Sequence, residues 1–177
     1  MKISACLIVK NEAANIARCL QSIYRSVDEI ILVDTGSKDA TIAIAKQYGA
    51  KVFSYIWKND FASAKNYAIA KAKGDWIIFL DADEYFSEKT ITNIRQVILQ
   101  HGMVCDAFSI RMVNIDVDKQ NKILEYFYPI RIFRANTVIR YTGKVHEHLV
   151  KTDRTSLKVS KVPPNLLELI HTGYSSS

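Results

Sequence analysis

The chain has 177 residues, of which 49% are hydrophobic and 24% charged, the composition of one ordinary globular domain with its own core and not of a disordered segment. A formal charge of +6 admits an anionic partner, but the Lys and Arg residues are spread along the chain, so no nucleic-acid-binding stripe forms. No apolar run approaches the roughly 20 residues that cross a bilayer, and MKISACLIVKNEA turns polar too soon for a secretion signal.

A cytoplasmic protein is therefore expected, with the inner, anionic face of the membrane as a surface its charge would suit. Cys6, Cys19 and Cys105 show no CxxC spacing and are expected as packing residues.

In chain order, ISACLIV reads as a buried strand, followed by a helix with Ile16, Cys19, Leu20 and Ile23 on one face. EIILV is a second buried strand ending at Asp34. Ser37 or Asp39 is the expected cap of a second helix with Thr41, Ile44, Ala45 and Tyr48 inward and Gly49 as its stop. KVFSY is a third strand, residues 60–72 an Ala-rich helix, and WIIFL a fourth strand. Ser87 is the expected cap of a helix bearing Ile91, Ile94, Val97 and Ile98, closed by Gly102.

Beyond Gly102 the helix pattern fades. CDAFSIRMVNID and KILEYFYPIRIFR read as long, partly alternating strands around a polar turn at Asp118 to Asn121, with short strands near residues 144–150 and 157–171. The fold class is α/β: a Rossmann-type, mostly parallel sheet flanked by helices, to which the second half adds antiparallel strands. The expected organisation is one domain, residues 1–177, with a nucleotide-binding half (1–102) and an acceptor-side half (103–177). The abrupt tail HTGYSSS suggests a part cut from a longer protein.

The stretch GDWIIFLDADEYF drives Ile77 to Leu80 straight into Asp81, Asp83 and Glu84. Like charges so close disfavour one another unless water or a cation offsets them. A dehalogenase-type phosphatase would want Thr or Val where Tyr85 stands. A dinucleotide fold needs a Gly-rich turn after its first strand, and the chain has no GxGxxG. A divalent cation, Mg2+ or Mn2+, held by carboxylates against a nucleotide diphosphate fits best. Lys10-Asn11-Glu12 and Asp34-Thr35-Gly36-Ser37 end two other strands, so three polar sets are expected at one sheet edge.

CLIVKNEAANIARCLQSI, EIILVDTGSKDAT, DFASAKNYAIAKAKGDWIIFLDADE and RIFRANTVIRYTGKVHEHL resemble, in family order and over most of residues 3–150, successive blocks of a family 2 glycosyltransferase with the nucleotide-sugar-binding GT-A fold. The nearest subgroup is that of bacterial enzymes with a short catalytic domain, often followed by helical repeats, with a "vHE" signature and a later H-x-G-Y.

The resemblance implies a metal-dependent, inverting transfer from a UDP-sugar to a hydroxyl of a glycan, lipid or protein. It places Val9, Lys10, Asn11 and Glu12 at the base and ribose, and Asp34 at the uracil N3–H. Lys65 and Asn66 stand where the family has Arg-Asn near the nucleotide; Lys65 keeps the charge without the bidentate fork. Asp81 and its neighbour Ala82 would meet the ribose or a metal-bound water. Asp83 would hold the cation and His171 would be a late metal ligand.

Many family members carry a Glu-Asp pair after the DxD, and this chain has none there. Glu147 is the candidate general base. If GKVHEHL is extended, Glu147 shares a face with Val145 and Leu149, a setting suited to a base. Plainer readings stand beside these: Asp34 as a turn former, Glu12 as a first-turn helix charge, Lys65 as a surface lysine, and Glu147 paired with Arg140 or Lys144. Arg131 and Arg134 are open to a phosphate or acceptor contact, but alternation alone explains them as the exposed face of a strand, and Trp57 and Trp76 read as core or pocket wall. The alternatives for the whole chain are an incomplete nucleotide-sugar-binding fragment and a sugar-phosphate nucleotidyltransferase, although KNEAAN offers no Gly-rich triphosphate loop.

Overall fold

The structure is a computed structural model and describes residues 1–173; Tyr174 of the H-x-G-Y block lies outside them. The first part alternates as the periodicity predicts: β1 (Ile3–Val9), α1 (Ile16–Ile23), β2 (Glu29–Asp34), α2 (Thr41–Gln47), β3 (Lys51–Ser54), α3 (Phe61–Lys71), β4 (Trp76–Phe79), β5 (Glu84–Phe86) and α4 (Ile94–His101). Then come β6 (Ala107–Ser109), β7 (Arg111–Asp116), β8 (Lys122–Phe127), β9 (Ile130–Arg134), β10 (Ile139–Thr142), β11 (His148–Lys151), β12 (Val159–Lys161) and β13 (Glu168–His171).

A seven-stranded sheet runs β12-β6-β9-β4-β1-β2-β3. Its β3, β2, β1 and β4 are parallel, and β9 joins β4 antiparallel. Central β1 is buried along nearly its whole length, as expected of a parallel strand covered on both faces. Its alternate residues feed two cores. Ile3, Ala5 and Leu7 pack with α1, with Ile94, Val97 and Ile98 of α4, and with Phe86, Met112 and Leu169. Cys6 packs on the other face with Ala68 and Ile69 of α3, Phe79, Phe133, Tyr141 and Leu149.

The second half departs from the expected pattern. The two long strands each break, at Ile110 and at Tyr128-Pro129, and the breaks meet where the Ile110 N–H donates to the Pro129 carbonyl at 3.0 Å. Before and after this joint the same hairpin serves two sheets: β6 and β9 extend the large one, and β7 and β8 enter a four-stranded sheet ordered β5-β13-β7-β8. Proline at the joint suits it, having no N–H to leave unpaired. The added strands are therefore only partly antiparallel additions to the first sheet: β12 joins parallel, and β10-β11 form a separate hairpin. Strand β8 is an exposed edge along its whole length.

Ser87 does not cap α4 with its side chain; its carbonyl accepts from Thr90 and Ile91 N–H, opening a 3-10 turn (Ile91–Asn93) that leads into the helix. Asp39, not Ser37, meets the start of α2, accepting from the Thr41 N–H at 3.0 Å. All three cysteines are buried and free of disulfides, as expected. Among the described residues no helix is long and apolar enough to cross a membrane.

Helix α3 is tied to β10 by one side chain. Asn66 donates through Nδ2 to the Tyr141 carbonyl and accepts through Oδ1 from the Tyr141 N–H, both at 2.9 Å. The amide thus completes the backbone of a buried strand residue, and cutting it leaves two polar groups without partners. Asn66→Ala is expected to lower the unfolding free energy in urea by about 2 kcal/mol; wild-type stability would show that the amide is not needed by the strand and is free for another partner.

Candidate functional site

The carboxyl ends of β1, β2 and β4 surround a cavity of about 470 Å³, the size range of small-molecule sites. Val9, Lys10 and Glu12 come from the end of β1, Thr35 from beyond β2, Asp81, Ala82 and Asp83 from beyond β4, and His171 from β13. Trp57 and Phe61 form an aromatic wall, their rings edge to face at 4.8 Å.

The acidic strand end is resolved mostly by cations of the chain itself. Arg131, on β9, directs Nη2 to Asp81 Oδ2 at 3.0 Å and to Glu84 Oε1. It is therefore not on an exposed strand face, as alternation suggested, but turned into the site. Lys65 is 3% exposed, lies 3.8 Å from Asp81 and 2.6 Å from Glu147, and sits over the Phe79 and Tyr141 rings at 5.1 Å each. Charges thus alternate along Glu84, Arg131, Asp81, Lys65 and Glu147.

The environment drives the two shared carboxyls apart. Enclosure pushes the Asp81 group up, but the Arg131 guanidinium and the Lys65 ammonium outweigh it and hold it below the usual carboxylate range. For Glu84, burial wins over the same guanidinium and the group lies above its ordinary value. Glu12, on the opposite wall, is raised by burial, with Asp83, Asp39 and Asp81 adding to it against the Asn15 amide.

Asp83 is answered differently. Its Oδ2 faces His171 Nε2 at 3.2 Å, and that hydrogen bond raises the imidazole above its ordinary value against its burial. The backbone fixes the pair, because the Thr172 N–H and hydroxyl both donate to the Asp83 carbonyl, at 3.2 and 3.1 Å. Gly173 keeps the space beside them open: a Cβ there would overlap Asp83 Oδ2 and crowd His171 Nε2 at 2.7 Å. Two donors of one octahedral cation stand about 3 Å apart, so a carboxylate and an imidazole at this spacing fit a shared divalent ion. Among the described residues no three acidic, His or Cys side chains converge on one point, so the remaining ligands of such an ion would come from phosphate and water.

Other expected residues lie at the margin. Asn11, at φ +56°, accepts from the Lys38 N–H at 2.8 Å, and its own N–H donates to Ser37 Oγ. Asp34 folds back on its turn, accepting from the Gly36 N–H at 3.0 Å and the Ser37 N–H at 3.1 Å, while Thr35 beside it lines the cavity. Asn66 serves Tyr141 as described. Glu147 does not lie in an extended segment: residues 143–147 form a loop with His146 at φ +56°, and the partner of Glu147 is Lys65, not Arg140 or Lys144. Arg134 stacks on Trp76 at 4.8 Å and donates to the Cys105 carbonyl, which makes it structural.

Glu84 and Thr35, expected among the polar sets at the sheet edge, and Trp57, expected as core or pocket wall, stand at the site; Phe61 there and Asn114 behind His171 were not singled out. Of these two, Asn114 carried a local signal, a polar residue two positions from Met112 on an inward strand face.

The profile described as Glycosyl transferase family 2 matches residues 4–150. A TPR repeat-containing protein of Synechococcus elongatus is 38% identical over 164 residues, covering 93% of this chain and 38% of its own length. The SPbeta prophage-derived glycosyltransferase SunS of Bacillus subtilis is 33% identical over 176 residues, covering 97% and 39%. The chain thus spans about two fifths of the length of these curated relatives.

Among solved structures, S. aureus TarS 1-349 superposes with a TM-score of 0.69 at 19% identity over 97% of this chain and 60% of its own, a likeness of fold. Glucosyl-3-phosphoglycerate synthase of Mycobacterium tuberculosis, solved with Mn2+, UDP and glucosyl-3-phosphoglycerate, superposes with a TM-score of 0.51 at 25% identity over 64% and 44%. With the family profile spanning most of the chain and the fold agreeing, this protein belongs to glycosyltransferase family 2.

Proposed function

We propose that this chain is the catalytic part of a metal-dependent, inverting glycosyltransferase that moves a sugar from a UDP-sugar to a hydroxyl of a glycan, lipid or protein acceptor. The observation that carries the reading is the Asp83–His171 pair, held open by Gly173 beside a strand-end cavity in a family 2 chain. A fold neighbour solved with Mn2+ and UDP supports it.

In this reading Asp83 and His171 hold the cation. Val9, Lys10 and Glu12 border the base and ribose, with Asn11 shaping the adjoining loop, and Asp34 meets the uracil N3–H while bracing its own turn. Asp81, kept ionised by Arg131 and Lys65, faces the ribose, with Ala82 giving close approach. When bound, the divalent ion stabilises the charge that grows on the departing diphosphate. Glu147 takes the acceptor proton, and attack on the face opposite the leaving group inverts the anomeric carbon. A second reading, nucleotide-sugar binding without turnover by this segment alone, is favoured by its span of about two fifths of its relatives.

A thermal-shift panel tests the donor site. UDP should raise Tm in the presence of Mn2+ and not in its absence, and Asp83→Ala should abolish the rise; a preference for GDP or ADP would overturn the role of Asp34. Gly173→Ala should weaken the metal-dependent UDP shift by crowding Asp83 and His171, and an unchanged shift would place the cation elsewhere.

Glu147→Gln separates the roles open to that residue. A base predicts a fall in kcat of about 100-fold or more with the UDP shift retained; wild-type kcat with lowered Tm would make the Lys65–Glu147 pair a fastener of the 143–147 loop.

A further inference from the structure

We infer that Asn114 and Glu125 are positioning residues, which fix the imidazole of His171 through Nδ1 so that Nε2 is the nitrogen a cation beside Asp83 would meet. The inference rests on the reading of His171 as a cation ligand and adds what aims it. In the four-stranded sheet, His171 of β13 is in register with Asn114 of β7, and Asn114 with Glu125 of β8, so the three side chains form one row on one sheet face. His171 Nδ1 lies 2.9 Å from Asn114 Oδ1, and Asn114 Nδ2 lies 3.2 Å from Glu125 Oε1.

The direction of this relay follows from Glu125. An ionised carboxylate can only accept, so the Asn114 atom beside it must be the NH2 group. That turns the amide oxygen toward His171, and an oxygen there requires the ring hydrogen on Nδ1. The hydrogen on Nε2, which donates to Asp83 when no cation is bound, is then the one a cation displaces, and its loss frees the Nε2 lone pair for the ion. Asn114 is 1% exposed, and an amide buried that deeply needs such partners. Glu125 is exposed on an edge strand, so the relay starts in solvent and ends at the cation position.

The test has two readouts on the whole chain: Mn2+ affinity in the presence of UDP, from the EPR signal of the free ion, and the ring-nitrogen 15N shifts of His171 in the diamagnetic complex with Mg2+ and UDP. Glu125→Ala and Asn114→Leu should each weaken Mn2+ binding by about 10- to 100-fold and lose the 15N signature of hydrogen on Nδ1 with Nε2 bound to the ion, while Glu125→Gln, whose carbonyl can still accept, should keep both near wild type. Glu125 is exposed, so its variants decide the case even if Asn114→Leu fails to fold.

His171→Ala serves as the control. If it weakens Mn2+ binding while Glu125→Ala and Asn114→Leu bind normally, or bind weakly with the hydrogen still on Nδ1, the positioning role is overturned and the metal reading stands. If His171→Ala binds Mn2+ as wild type does, His171 is no ligand and the inference falls with that part of the metal reading.

Discussion

The arrangement of the site depends on one buried guanidinium. Strand β4 ends in carboxylates that would repel one another, and Arg131 satisfies Asp81 and Glu84 from a single side chain. Removing one partner from such a group is far more damaging than its net worth suggests, because the remaining charges stay buried without compensation. Arg131 reaches them only because β9 lies antiparallel beside β4, with Ile132 opposite Ile78. The insertion of a second-half strand into the first-half sheet therefore has an electrostatic reason as well as a packing one. It lets Asp81 remain ionised with counter-charges from the chain itself, leaving Asp83 to face His171.

The second constraint is closure over long sequence separation. His171 arrives on β13, paired on one side with β5, directly after the DxD, and on the other with β7. The Thr172 bonds to the Asp83 carbonyl complete this return, and Arg18 of α1 donates to the Thr172 hydroxyl at 2.8 Å. The hairpin that changes sheets at Ile110 and Pro129 makes the return possible. Its first part builds the large sheet that carries Arg131, and its second part builds the small sheet that carries Asn114 and receives His171.

Much of this was legible in the sequence wherever burial follows from local pattern. The apolar runs of β1, β2 and β4 and the inward faces of α1 and α4 declare themselves by periodicity, and the polar residues just beyond those strands mark the cavity edge. Legibility failed where a later element decides a side chain's surroundings. Arg131 alternates with Ile130 and Ile132 as a solvent-facing residue would, yet the solvent side is occupied by the acids beyond β4. Lys65 looks like a surface lysine on an Ala-rich helix, but the 143–147 loop and the Tyr141 ring cover it. The extended reading of GKVHEHL failed at His146, a non-glycine at positive φ that no propensity announces. Asn66 looked like a ligand contact because its block implied one, and its amide is used up by a backbone 75 residues away.

The packing of the thiols bears on the durability of the site. Cys19 sits directly beneath the DxD, its Sγ 3.6 Å from the Asp81 carbonyl, and burial pushes its thiol well above the ordinary value; Cys6, wholly enclosed, is shifted the same way. Only an accessible thiolate reacts readily with peroxide, maleimides or mercurials. The sulfur nearest the acidic strand end is thus shielded from alkylation and oxidation, and a cysteine engineered onto the surface would be labelled while Cys6 and Cys19 stay silent.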